Sequence, residues 1–275
     1  MDPYVQALLM GLVQGLTEFL PISSSGHLVV LPDLLGWEDP LLASLAFSVF
    51  LHMGTLLALI LYFIRDWLAV LRSLGRLVRT RRVGTDPDRR LARNLILATI
   101  PAGAAGYALN DLAETTFRDP ALVAGLLLAG GGVMLLADRF GRKNLGVDAI
   151  RAREAFIIGC GQALALLPGV SRSGISISFG MFIGLDRAAA ARFSFLMATP
   201  IIAGAGVFEI RRLLAPDGLG GTDGGVLAVG FVAALLSGLL AIRFMLRFLR
   251  THSLAVFVAY RAVLAVAILA VLATR

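Results

Sequence analysis

Six stretches of this chain, roughly 41–64, 93–112, 120–138, 193–213, 224–242 and 254–273, are apolar over a length that can cross a lipid bilayer, which takes about 17–25 residues. A segment of that kind has one low-energy state in lipid. It must be a helix, because only there does every backbone N–H and C=O find a partner without water. Composition agrees: 58% of the 275 residues are hydrophobic and 16% charged, where a soluble domain carries about 25% charged. The mean hydropathy is +0.84. The expected class is therefore an all-α integral membrane protein forming one membrane domain over 1–275. The single cysteine, Cys160, has no internal disulfide partner and reads as a small packing residue. No basic segment precedes the first apolar region, so no cleaved signal peptide is expected.

Two further apolar regions, about 4–35 and 154–185, are interrupted near their middles. Pro21 to Gly26 breaks the first, and Pro168 to Gly174 breaks the second. Broken helices at membrane depth persist only where protein or a water-filled cavity satisfies the freed backbone groups. Both regions are read as re-entrant helix pairs that go in and come back on one side, alongside six transmembrane helices.

The basic residues test that topology. Segments 65–93, 139–153, 186–192 and 243–250 hold 9, 5, 2 and 3 Lys and Arg, 19 of the chain's 25. Segments assigned to the opposite face hold Arg118, Arg211, Arg212 and Arg275, and two arginines, Arg172 and Arg261, fall at membrane depth. Basic loops mark the cytoplasmic side, and the bias holds along the chain only if both broken regions are re-entrant. The net charge of +7 is thus a topology signal. No aromatic and basic interleaving accompanies it, so no nucleic acid is expected.

The two breaks resemble each other. Gly11-x-x-Gln14 is followed by Leu20-Pro21 and Ser23-Ser24-Ser25-Gly26; Gly159-x-x-Gln162 is followed by Leu167-Pro168 and Ser171-Arg172-Ser173-Gly174. Phe47-Ser48-Val49-Phe50-Leu51 is echoed by Phe193-Ser194-Phe195-Leu196. Three spans lie between the breaks, so the second enters from the opposite face. This pattern predicts an inverted-topology repeat with halves near 1–138 and 150–273, whose broken helices meet and build a site.

The residues at the breaks suit an anion. Glu18 lies in an apolar helix, where an ionised carboxylate needs a partner or hydration. The Ser23-Ser24-Ser25-Gly26 turn offers hydroxyls and amides to a phosphoryl group, and His27 follows it. Arg172, flanked by Ser171 and Ser173, offers the planar fork that binds phosphate oxygens bidentately. Ser173, Gly174 and Ser176 open a half-helix whose N-terminus favours negative charge. Arg261, beside Tyr260, is a second cation or a packing residue. The alternative for the first pair is an Arg172–Glu18 ion pair of structural purpose. The set points to phosphoryl transfer, with arginine and turn amides on the equatorial oxygens and His27 or a serine attacking or moving a proton. A carboxylate can also hold a divalent metal bridging a diphosphate.

Gln14-Gly-Leu-Thr-Glu18-Phe-Leu-Pro-Ile-Ser-Ser24-Ser-Gly-His27, together with Pro168-Gly-Val-Ser-Arg172-Ser173-Gly-Ile-Ser176, resembles the undecaprenyl-diphosphate phosphatases of the bacitracin-resistance type. The similarity runs over nearly the whole chain, through Phe193-Ser-Phe-Leu and Tyr260-Arg261. It implies a multi-pass enzyme of the bacterial plasma (inner) membrane that converts undecaprenyl diphosphate to the monophosphate. That reaction recycles the carrier lipid for peptidoglycan synthesis, at a site open to the periplasmic or outer face. It implies catalytic roles for Glu18, Ser24, His27 and Arg172, with Glu18 also binding metal. Substrate contacts fall to Gln14, Ser23, Ser25, Ser171, Ser173, Gly174, Ser176 and Arg261. The implied cofactor is a divalent cation, Mg2+ or Ca2+; the implied partners are the polyprenyl diphosphate and the bilayer, with a homodimer as one assembly. Gln14 in place of an acid, Ser48 where relatives often carry one and Ser176 in place of a threonine depart from the usual pattern. Acid-phosphatase-like lipid phosphatases also carry Ser-Gly-His and Ser-Arg pairs. Here about 145 residues separate them without a Lys-x6-Arg-Pro partner. The competing expectation is a polyprenyl-phosphate transporter or flippase, since inverted repeats with broken helices are a transporter architecture.

Overall fold

A computed structural model describes residues 1–37, 41, 44–80, 83–115, 119–213 and 223–274. Arg118 and Arg275, and the side chains of Arg211 and Arg212, lie outside the described residues, so their sidedness rests on sequence. The described chain is helical, in order α1 Pro3–Phe19, α2 Ser24–Leu35, α3 Leu45–Tyr62, α4 Ile64–Thr80, α5 Pro87–Thr115, α6 Pro120–Phe140, α7 Ala152–Ala163, α8 Arg172–Phe182, α9 Arg187–Leu213, α10 Gly224–Phe248 and α11 Ala255–Thr274. Helices α3, α5, α6, α9, α10 and α11 overlap the segments expected as spans. Among the described residues α6, α10, α11 and the Arg187–Val207 part of α9 are long and apolar enough to cross a bilayer, and α3 with α4 forms a bent fifth candidate. Helix α5 opens with Asp88, Arg89, Arg90 and Arg93, which place its start in the polar zone.

Local chemistry sets the boundaries. Asp2 caps α1 by accepting from the Tyr4 N–H, and Pro3 occupies the first turn, where its missing donor costs nothing. The helix stops at Leu20 in an extended conformation, as a residue before proline prefers. Asp119 and Asp223 cap α6 and α10 in the same manner. Tyr4 also donates to Asp223 Oδ2 at 2.7 Å, joining the starts of α1 and α10. That bond holds the Asp223 carboxyl below its ordinary value.

Helix α3 turns through 81° into α4. On α4, Arg65, Arg72, Arg76 and Arg79 share the surface with exposed Leu68, Leu71 and Val78. This composition is that of a helix lying in the headgroup layer, and not of one crossing it.

Close packing depends on small residues, as it must where lipid supplies no hydrophobic drive between helices. Helix α1 runs along α10, and α7 along α5. Gly11 faces the Gly230 carbonyl and Ala233, and Gly15 faces Ser237 and the Ala234 carbonyl, so closely that an added methyl would collide. Gly159 does the same against Ala98. Leucines and valines such as Leu128, Leu236, Leu240, Val263 and Val266 stay exposed on the outer faces, a surface suited to lipid chains and not to water. Cys160, expected as a packing residue, is instead exposed on α7. It lies one residue from both Gly159 and Gly161, which face inward, so the helical period turns it outward.

Helices α1 and α2 are separated by the Leu20–Ser23 break, and α7 and α8 by a 3-10 turn at Leu164–Leu166 and the residues up to Ser171. The breaks share their geometry as well as their sequence. Ser23 and Ser171, 148 positions apart, are both left-handed, with φ 73° and 72°. Each hydroxyl bonds that of the serine two residues on: Ser25 at 3.2 Å in the first break, Ser173 at 3.3 Å in the second. A non-glycine residue in this region costs roughly 1–3 kcal/mol and marks places where the surroundings over-determine the backbone.

Candidate active site

The breaks meet at Glu18, on the last turn of α1. Its side chain is 5% exposed. Oε1 accepts from Arg172 Nη2 at 2.5 Å. Oε2 accepts from the Ser24 hydroxyl at 2.5 Å and from Gln14 Nε2 at 3.1 Å. Gln14 sits one turn earlier, at the i−4 position that shares a helix face. Ser24 begins α2 and Arg172 begins α8, so the carboxylate is held by residues from both breaks. The Arg172–Glu18 ion pair that the sequence offered as an alternative is present, with Ser24 on the same carboxylate.

Only half of the arginine is used in that pair. Arg172 Nη1 is buried and has no hydrogen-bond partner, and neither has Gln14 Oε1. An unpaired buried donor on a cation and an unpaired acceptor beside it are costly. Their natural complements are an anion for the first and a donor or cation for the second. Arg172 lines a half-open cavity of about 330 Å3 together with Glu18, Ser23, Ser24, Ser25 and Ser171, whereas Gln14 is buried outside that lining.

Three other expected residues support the breaks from behind. The Ser173 hydroxyl donates to the Leu20 carbonyl across the two breaks at 3.2 Å. The Gly174 N–H donates to Ser171 Oγ, capping α8. Ser176 donates back to the Arg172 carbonyl at 2.6 Å and bonds Ser194 on α9. These three do not line the cavity.

His27 and Arg261 lie away from the cavity lining too. His27 Nδ1 donates to the Ser23 carbonyl at 2.8 Å, and the Tyr260 hydroxyl donates to Nε2 at 2.6 Å. The two rings stack at 5.7 Å. Arg261 is completely buried and faces no carboxylate among the described residues. It donates to the carbonyls of Leu127, Pro21, Leu126 and Gly169 at 3.0, 3.3, 3.4 and 2.7 Å. One guanidinium therefore ties the first break, the second break and α6 together. Gly130 leaves the space for it, since a methyl there would strike Nη2.

The histidine that does line the cavity is His52. Nδ1 donates to the Ser48 carbonyl one turn back at 2.7 Å, and Nε2 faces Glu18 Oε2 at 3.8 Å. Sequence reading passed over it. The available signal was a histidine at membrane depth on the same helix face as Ser48, in the segment already matched to the second half. The cavity continues from this polar floor along Val49, Met53, Ile201, Ile202 and Ala205.

Among the described residues no group of three or more His, Cys, Asp or Glu side chains is placed to hold a metal ion. A protein-only cage is therefore absent there. The Glu18 carboxylate lines the cavity and suits a hard cation that completes its shell with substrate and water oxygens.

The helices and this site define a multi-pass membrane protein with a buried polar centre where two broken helices converge. The chain matches the family model described as Bacitracin resistance protein BacA over residues 7–267, and it belongs to that family. It is 47% identical over 270 residues to the Undecaprenyl-diphosphatase of Gemmatimonas aurantiaca, covering 98% of both chains. Identity is 44% over 279 residues and 100% of both chains with the Undecaprenyl-diphosphatase of Desulforudis audaxviator. It is 45% over 271 residues and 98% of both chains with that of Rubrobacter xylanophilus.

Proposed function

We propose that this protein is a hydrolase that converts undecaprenyl diphosphate to undecaprenyl phosphate and inorganic phosphate. The observation that carries the reading is the unpaired Nη1 of Arg172 beside the Glu18–Ser24 contact, at the floor of a cavity that is polar below and apolar above. Full-length relatives bearing the diphosphatase name favour it over the transporter reading.

The substrate's terminal phosphate lies against Arg172, whose Nη1 and the turn hydroxyls of Ser23, Ser25 and Ser171 take its oxygens. Ser24 attacks the terminal phosphorus, its proton passing to Glu18. The bond from phosphorus to the bridging oxygen breaks, and that oxygen leaves with the lipid monophosphate. Water then splits the phosphoserine, regenerating Ser24 and releasing phosphate. His52 is placed to exchange the proton with Glu18 and water. Arg261, through Pro21 and Gly169, holds the two breaks in register, and His27 ties the first break to α11 through Ser23 and Tyr260. Glu18 would hold a divalent cation, Mg2+ or Ca2+, which would supply charge neutralisation on the diphosphate.

The halves 1–138 and 150–273 are read as inverted re-entrant repeats in six crossings. The left-handed serines 148 positions apart and the reciprocal packing of α1 on α10 and α7 on α5 support this. The cavity is read as opening to the outer face of a bacterial plasma membrane. Its α3 residues lie in the half remote from arginine-rich α4, and its α9 residues in the half remote from Arg187 and Arg192, which by the positive-inside rule is the outer half.

The test is release of phosphate from a polyprenyl diphosphate by the purified protein, before and after chelation and with Mg2+ or Ca2+ restored. No turnover with either metal, or full activity in Glu18→Ala and Arg172→Ala, overturns the assignment. Undiminished turnover after exhaustive chelation overturns the cation alone. Light scattering of the detergent complex decides between monomer and homodimer.

A further inference from the structure

The geometry points to the gap between α3 and α9 as the binding site for the first isoprenoid units of the substrate, with Met53 seated over Gly206 as the residue pair that sets its width. This rests on the diphosphatase reading and extends it to the lipid tail.

Two features of the cavity lead there. Its polar groups are confined to one end, where Glu18, Ser24, His52 and Arg172 converge. Among the described residues the apolar lining comes, apart from Ala165 at the second break, from two helices: Val49 and Met53 on α3, Ile201, Ile202, Ala205 and Gly206 on α9. A headgroup bound at the floor must therefore send its next atoms along this wall.

Size decides how much of the chain the protein holds. About 330 Å3 is at the small end of ligand pockets, enough for a diphosphate and the start of an isoprenoid chain and far too little for eleven units. The remaining chain has to leave sideways into lipid. Ala205 and Gly204 at this level of α9 are exposed, and no heavy atom lies within 4 Å of where a Gly204 side chain would begin. The way out is thus bordered by residues that present little more than backbone.

Gly206 is buried beneath the Met53 thioether, and a Cβ at this glycine would meet the methionine Cε and Sδ directly. A methionine is flexible enough to swing aside for an incoming chain, whereas a branched side chain at position 206 would keep the gap filled.

The experiment compares undecaprenyl diphosphate in mixed micelles with water-soluble methyl diphosphate, which carries no isoprenoid unit, measuring phosphate release from each. The readout is the ratio of kcat/KM for the long chain to that for the short one. In Gly206→Leu this ratio falls about tenfold or more, the scale on which hydrophobic pockets discriminate added carbons. Adding Met53→Ala to Gly206→Leu restores much of it, because the vacated thioether space takes the leucine. Ile201→Phe, at a half-buried position, gives a second route to the same loss should Gly206→Leu not fold. Equal loss on both substrates in both variants, or an unchanged ratio, overturns the tail site while leaving the hydrolase assignment standing. If the unaltered protein releases phosphate from neither substrate, the assignment itself fails and the tail site with it.

Discussion

Replacing Arg172 by lysine separates the two jobs the structure gives this side chain. The guanidinium holds Glu18 through Nη2 at 2.5 Å and keeps Nη1 buried and unpartnered. A lysine retains the charge and can remain beside Glu18, but its single ammonium cannot also present a second donor in a fixed plane. The variant should therefore fold. Its lost donor is one aimed at charge that develops during phosphoryl transfer, a class whose removal lowers kcat by about 10²–10³, or roughly 2.7–4 kcal/mol. Arg172→Met serves as the contrast. It strands a carboxylate that is 5% exposed, and breaking a buried pair from one side costs about 3–5 kcal/mol of stability. Glu18→Gln combined with Arg172→Met removes both charges and should recover most of that stability without recovering turnover. The assays are phosphate release from a polyprenyl diphosphate and thermal unfolding of the detergent-solubilised protein. Arg172→Lys retaining more than about a tenth of normal kcat would refute the reasoning, and an active, stable double variant would make the pair purely structural.

Other consequences follow from individual contacts. His52→Ala should lower kcat by about 10²-fold with little change in unfolding temperature, the usual scale for a proton-transfer group; near-normal kcat would remove His52 from the reaction. Arg261→Lys gives up most of four carbonyl contacts and should destabilise by about 3 kcal/mol or more, since hydrogen bonds from a charged group contribute about 1.5–3 kcal/mol each. Gly130→Ala, which intrudes on the same guanidinium, should show the same defect in thermal unfolding. Gly15→Leu should uncouple α1 from α10 and lower yield and thermal stability together, whereas Gly132→Leu, with open space beside it, should not. Tyr4→Phe should raise the Asp223 titration, followed by NMR, towards its usual range. Because the folded value is depressed, the lost contribution is one present above the ordinary carboxylate pKa that fades as pH falls through the folded value.

The membrane character, the helical class and the positions of the two breaks were readable from composition, span length and the Pro, Gly and Ser clusters. The Glu18–Arg172 contact was legible only as an alternative, a structural ion pair, because charged groups at membrane depth need partners. Other roles were not readable. His27 stands in the serine motif, and nothing in its spacing shows that both ring nitrogens are taken by Ser23 and Tyr260. His52 is remote in sequence from both motifs, and only the crossing of α3 past the end of α1 brings it to the carboxylate. Arg261 looked equally suited to substrate or to packing. Its answer depended on carbonyls at positions 21, 126, 127 and 169, which no linear pattern brings together.

Local chemistry along the chain thus settled which segments are helices, where they break and which side chains are too costly to leave unpaired in lipid. Those are properties of single segments: length, period, turn residues and the desolvation of charge. The division of labour among those side chains was settled by packing. Which nitrogen of Arg172 is spent on Glu18, which histidine faces the cavity and which pair of helices is left apart for a lipid chain all depend on distances between segments far apart in sequence. Such distances come from close fits like Gly15 on Ser237 and Gly130 on Arg261, and a fit exists only once both surfaces are in place.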